Sequence, residues 1–117
     1  MKKSKQPVFK YDLFGDIHKV VFYVARYTIN NNLFVGLKIA RTGEIFADVT
    51  TNFECSHEDY YANIKNCDEN EGMAKFLLEN DLGFFVGNPS DPYPMFFFDP
   101  LMLHYVDPDG FKEISKK

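Results

Sequence analysis

His18–Ile29 (HKVVFYVARYTI), Asn30-Asn31-Asn32 and Leu33–Ala40 (LFVGLKIA) read together as two strands and the turn between them. The first segment sets Val20, Phe22, Val24, Arg26 and Thr28 against Val21, Tyr23, Ala25, Tyr27 and Ile29, a period of two. Such alternation of β-branched and aromatic residues suits a pleated, half-buried surface. Three asparagines tolerate a left-handed backbone and make a hairpin connection. Leu33, Val35, Leu37 and Ile39 then alternate on the second strand. After Thr42-Gly43, the segment 44–51 places Ile45, Ala47 and Val49 opposite Glu44, Asp48 and Thr50. Three strands joined by short turns make an antiparallel meander.

Working outward, residues 52–66 are polar, with Tyr60, Tyr61 and Ile64 as anchors, and read as a loop with a helical turn. Asp68 with Glu71 has the spacing of a capping box, so a helix is expected from there. Met73, Phe76, Leu77 and Asn80 share one face of it, Ala74 and Leu78 are expected to widen that face, and Gly83 is expected to end the helix. Phe84–Val86 and Met95–Phe98 read as strands, and 101–106 as a strand or short helix. Asp107-Pro108-Asp109-Gly110 reads as a turn. The expected fold is α+β: a β-meander, one main helix packed on a sheet face, and two or three returning C-terminal strands. Val24, Leu37, Val49, Phe76 and Leu77 are the expected core. Because Phe96, Phe97 and Phe98 are consecutive, at least one must face away from the side that buries the others.

The 117 residues fit one domain, expected over 11–111, with a flexible basic arm at 1–10 and a basic tail at 112–117. No apolar run approaches the about 20 residues that cross a bilayer, and no apolar signal region follows the N-terminal lysines. A soluble, cytoplasmic protein with two reduced cysteines is expected. The net charge of −4 is unevenly spread: Tyr11–Phe111 carries six basic and 16 acidic residues, a net of −10. Such a body repels nucleic acid and favours a partner protein with a basic surface.

Chemistry has few footholds. Cys55, His57 and Cys67 would supply three zinc donors, but tetrahedral zinc needs four, and the paired C-x-x-C spacing is absent. Cys67 precedes the expected helix, yet Asp68, Glu69 and Glu71 beside it disfavour a thiolate. The carboxylate pairs sit where acids cap helices and solvate surfaces. There is no dinucleotide-binding glycine motif, P-loop or nucleophile elbow. No catalytic residue, metal or cofactor is therefore expected. Glu58, Asp59, Tyr60, Tyr61, Asp68 and Glu69, acidic and aromatic together, are the candidate interaction residues. The alternative is a small metal- or thiol-dependent enzyme built on Cys55, His57 and Cys67.

Three blocks resemble a known family. Residues 44–52 (EIFADVTTN) are similar to a "G-E-P-Y-A-x-L-T-x-N" strand. Tyr61–Asn66 with Met73–Gly83 resembles "F-V-x-x-N-N … F-L-x-E-N-G-L-G", and Tyr93-Pro94-Met95 with Phe97 resembles "Y-P-L-Y-x-F". The family is an uncharacterised domain-of-unknown-function family, number 4313, of small bacterial proteins often carried on mobile elements. The resemblance spans residues 33–103; Ser90-Asp91-Pro92 departs from the family's Ser-Gly-Phe. It implies structural motifs, no activity and no site residues. Its mobile-element setting suggests an acidic accessory or anti-defence factor that occupies a nucleic-acid-binding groove by mimicking phosphate charge.

Overall fold

Alternation of apolar residues produces two antiparallel sheets in the computed structural model, which describes residues 6–53, 58–66, 72–88, 91 and 93–116. In the first sheet, β1 (Phe9–Leu13), β2 (Asp16–Arg26), β3 (Leu33–Ile39) and β4 (Ile45–Asp48) lie in sequence order. In the second, β5 (Thr50–Thr51), β6 (Tyr61–Ile64), β7 (Gly83–Phe85) and β8 (Met95–Phe98) take the order β5-β6-β8-β7. Helices α1 (Met73–Glu79), α2 (Pro100–Val106) and α3 (Pro108–Ile114) complete an α+β fold. No described helix is long and apolar enough to cross a membrane.

One core joins the sheets. Val20, Phe22 and Val24 of β2 and Leu33, Val35 and Leu37 of β3 are buried with Ala62, Ile64, Phe96 and Phe98 of the second sheet. Val24, Leu37, Val49, Phe76 and Leu77 all lie in this core, as the periodicity predicts. Val49 is the junction: its N–H donates to the Val35 carbonyl at 2.9 Å, and its own carbonyl accepts the Lys65 N–H at 2.9 Å. One residue thus ties β3 of the first sheet to the end of β6 in the second.

The third strand departs from simple alternation. Lys38 pairs with Ile45 but Leu37 with Ala47, so Phe46 is an extra residue and the strand bulges. A bulge re-aims the side chains beyond it. Ile45, expected on the apolar face with Val49, is therefore exposed. The expected loop over 52–66 contains β6, and 101–106 is helical.

Where one main helix was expected, the described residues form three. The Asp68–Glu71 capping box lies outside the described residues, and α1 begins at Met73 behind Gly72, which makes no side-chain cap. The left-handed residue after α1 is Asp81 (φ 58°), not Gly83, which instead opens β7.

The expected Asp107–Gly110 turn is the start of α3. Asp107 accepts the Gly110 N–H at 3.2 Å and Pro108 occupies the first helical position, so the same residues serve as an N-terminal cap. The cap also closes a sheet edge. β1 pairs with Asp16–Val20, and among the described residues no strand pairs with the rest of β2 on that side. The buried Asp107 carboxylate accepts the Val24 N–H at 2.8 Å. The Gln6 amide bridges the Phe22 and Val106 carbonyls at 2.6 and 3.0 Å, and Arg26 Nε donates to the Ile114 carbonyl at 3.2 Å. Covering an edge this way removes a template for aggregation. Structure therefore extends past the expected 11–111 limits at both ends, from Gln6 and β1 to α3.

Among the described residues one buried side-chain group is unsatisfied. Tyr11, on β1, packs edge-on to Phe46 and Phe76, and its hydroxyl has no hydrogen-bond partner. Burial raises its pKa above 10.0. Tyr11→Phe should therefore stabilise the domain by about 1 kcal/mol, because it removes a buried hydroxyl that finds no partner. A raised folded pKa means stability is intact below the unfolded value near 10.0 and is lost as pH rises through the folded one. Urea titrations should show the gain at pH 7 and a shallower alkaline loss in the variant. A variant weaker than the parent at pH 7 would reveal a partner for the hydroxyl.

Candidate functional site

Consecutive phenylalanines decide what the second sheet presents. Side chains alternate along β8, so Phe96 and Phe98 enter the core while Phe97 points to the other face. Cross-strand pairing sets Tyr61 of β6 and Phe84 of β7 on either side of it. The ring centroids stand 5.0 Å (Tyr61–Phe97) and 5.1 Å (Phe84–Phe97) apart, an aromatic ladder across three strands. The next row holds Thr51, Asn63 and Met95, with Val86 at its end, where the Val86 N–H donates to the Met95 carbonyl at 3.0 Å. Tyr93, two residues before Met95, packs edge to face on Phe53, two residues after Thr51, at 5.5 Å, and Asn63 Nδ2 donates to the Tyr93 carbonyl at 3.1 Å.

This face is open. Phe84 and Val86 are 56% and 55% exposed, and Phe53 and Tyr93 are also exposed, while Tyr61, Met95 and Phe97 are half-buried. Isolated exposed apolar residues are ordinary, but a contiguous set on one face marks an interaction surface.

Of the six candidate interaction residues, the structure brings one onto this face. Tyr61 belongs to the ladder. Tyr60 has φ 71° and its ring stacks on Phe111 of α3 at 6.2 Å, so neighbouring tyrosines serve opposite sides. Glu58 is exposed and its backbone carbonyl accepts the Tyr61 N–H at 3.2 Å, beside the ladder's end. Asp59 pairs with Arg26 at 3.2 Å. That guanidinium also donates to the Asn31 and Ile114 carbonyls. Asp68 and Glu69 lie outside the described residues, as do Cys55, His57 and Cys67. Among the described residues no three His, Cys, Asp or Glu side chains converge where they could hold a metal ion.

Sequence reading missed Phe84 as a site residue, and had Phe97 only as one of three consecutive phenylalanines of which one must face outward, because it took β6 for a loop. The available signal was the alternation of half-buried Tyr61 and Asn63 with buried Ala62 and Ile64.

A groove of about 480 Å³ runs between the outer side of β2 and α3, lined by Tyr23, Arg26, Lys38, Asp109, Glu113 and Lys116. Lys38 Nζ lies 4.1 Å from the Tyr23 ring centre, Arg26 pairs with Asp59, and Lys116 pairs with Glu113 at 3.2 Å. Nearby, Tyr27 donates to or accepts from the Thr50 hydroxyl at 3.1 Å. Its pKa is raised, mainly by burial, with Asp48 adding to the rise and the Thr50 bond opposing it.

Fold and face together define an α+β domain of two antiparallel sheets, one of which keeps an aromatic face open. Residues 21–117 match the family Domain of unknown function (DUF4313), and the chain belongs to it. The match is wider than the 33–103 resemblance: it takes in all of α2 and α3 together with Tyr61, Phe84 and Phe97. No curated protein and no solved structure matches the chain.

Proposed function

We propose that this protein is a non-enzymatic binding module that docks a partner protein with a basic surface on the open face of its second sheet. The ladder of Tyr61, Phe97 and Phe84 carries the reading. Aromatic side chains are enriched where a few residues dominate binding energy. The acidic body supplies a field that speeds encounter with a positive partner. In the mobile-element setting that the family resemblance implies, the partner is a host protein. Exposed acids occupy separate turns and element ends, such as Asp12 and Asp16, Glu79 and Asp81, and Asp91. That distribution favours an aromatic docking face over a row of carboxylates imitating phosphates.

The test is capture from a lysate of the native host on immobilised parent protein and on Phe84→Asp. Phe84 is more than half exposed, so the substitution should leave stability within about 0.5 kcal/mol. Partner recovery should fall about tenfold or more, the effect of losing one dominant contact. Recovery should also fall between about 0.01 and 0.15 M salt, where the screening length shrinks from ~30 to ~8 Å. No partner at low salt, or one retained equally by the variant and at high salt, rejects the reading.

A further inference from the structure

We infer that the occupant of the open face is a single amphipathic helix, apolar along one stripe and carrying Lys or Arg at its ends; this rests on the docking role proposed above. The dimensions come first. Strands lie about 4.8 Å apart, so the ladder from Phe84 through Phe97 to Tyr61 is roughly 10 Å across. Same-face residues repeat about every 6.8 Å along a strand, so the stretch from Phe97 through Met95 back to Tyr93 spans roughly 14 Å. An α-helix with its side chains is about 10–12 Å wide and covers such a patch.

The other occupants fit worse. A stable pairing of two copies buries about 800 Å² on each partner, several times the plan area of this patch. Strand addition needs a long free edge, but the edge strands of this sheet are β5 with two residues and β7 with three. An uncovered sheet face is ordinarily completed by a helix, the arrangement that α1 already gives the first sheet through Phe76.

Charge sets the helix's ends. Glu58 adjoins Tyr61, exposed Asp81 lies two residues before β7, and exposed Asp91 lies two residues before Tyr93. Acids therefore adjoin the ladder in sequence through Glu58 and Asp81, and the Tyr93 end through Asp91, while Lys65 follows β6. The complement is an apolar stripe at i, i+3, i+4 and i+7 with cations beyond it.

A displayed library of random 16-residue peptides, selected on the whole protein, reads this directly. Sequences enriched on the parent should carry the i, i+3, i+4, i+7 apolar spacing with Lys or Arg flanks. They should bind about tenfold more weakly to Phe84→Asp and to Tyr61→Ser, with both variants checked as folded by circular dichroism. Period-two sequences that still need Phe84 would overturn the helix while leaving the docking face intact. Acidic flanks, enrichment indifferent to both substitutions, no enrichment, or a Phe84-dependent dimer in sedimentation would each overturn the inference. Failure of the docking role itself shows separately, as a host partner captured equally by parent and Phe84→Asp.

Discussion

Replacing Phe76 by Ala should cost the domain about 3–5 kcal/mol, the range for removing a large aromatic side chain from a packed core. Phe76 is the ring through which α1 is fastened to the first sheet. It lies 4.9 Å from the ring of Tyr11, 6.4 Å from Phe9 and 5.8 Å from Phe22, the last nearly parallel at 20°. Truncation removes contacts to β1 and β2 together, and the rigid strands around it cannot collapse to fill the space. Leu78, two residues on and exposed, is the control; Leu78→Ala should change stability by less than about 0.5 kcal/mol. Urea unfolding followed by circular dichroism measures both, with an unchanged m-value showing that the cost lies in the folded state. A loss below ~0.5 kcal/mol for Phe76→Ala would mean that α1 packs through another face.

Phe76 was legible from sequence because a helix repeats every 3.6 residues, and Met73, Phe76 and Leu77 keep that period. Alternation likewise marked β2 and β3, and a short apolar run marked β8. What escaped depended on contacts distant in sequence. β1 opens onto a hairpin in which Phe14 has φ 52° and Gly15 φ 92°, while the Asp12 carboxylate accepts the Gly15 N–H at 2.8 Å. Phenylalanine rarely adopts that backbone, so the turn carried no recognisable signature. Asp107-Pro108-Asp109-Gly110 suits a turn and a helix start equally well. What separates them is β2, because a Cβ on Gly110 would lie 2.5 Å from the Val24 carbonyl oxygen. The open face had a partial signal in the three phenylalanines, which required one ring to point outward. Which rings would join Phe97 was set by the register of β6 and β7, and short strands separated by long loops do not announce their register.

Gly83 shows how tightly that register is held, and Gly83→Ala should cost about 2–6 kcal/mol. The estimate combines backbone strain of about 1–3 kcal/mol with a similar cost for forcing atoms into filled space. Gly83 has φ 156°, and a Cβ there would lie 1.8 Å from the Phe97 carbonyl oxygen and 3.0 Å from the Phe96 ring. The carbonyl is backbone of the adjacent strand, so the clash is relieved only if β7 moves away from β8. That movement breaks the pairing of Gly83 with Phe98 and of Phe84 with Phe97. β7 is a three-residue edge strand, so it can detach while the first sheet stays paired. Hydrogen exchange should then lose protection at Val86, whose N–H reaches the Met95 carbonyl, before it does at Val24, held by Asp107. Phe84 leaves the ladder with its strand, so partner capture should fall as it does for Phe84→Asp. Gly87→Ala is the matched control, since a Cβ there meets nothing within 4 Å and should change neither stability nor capture. A Gly83→Ala protein as stable as its parent, with Val86 still protected, would show that β7 does not lie against β8 at this distance.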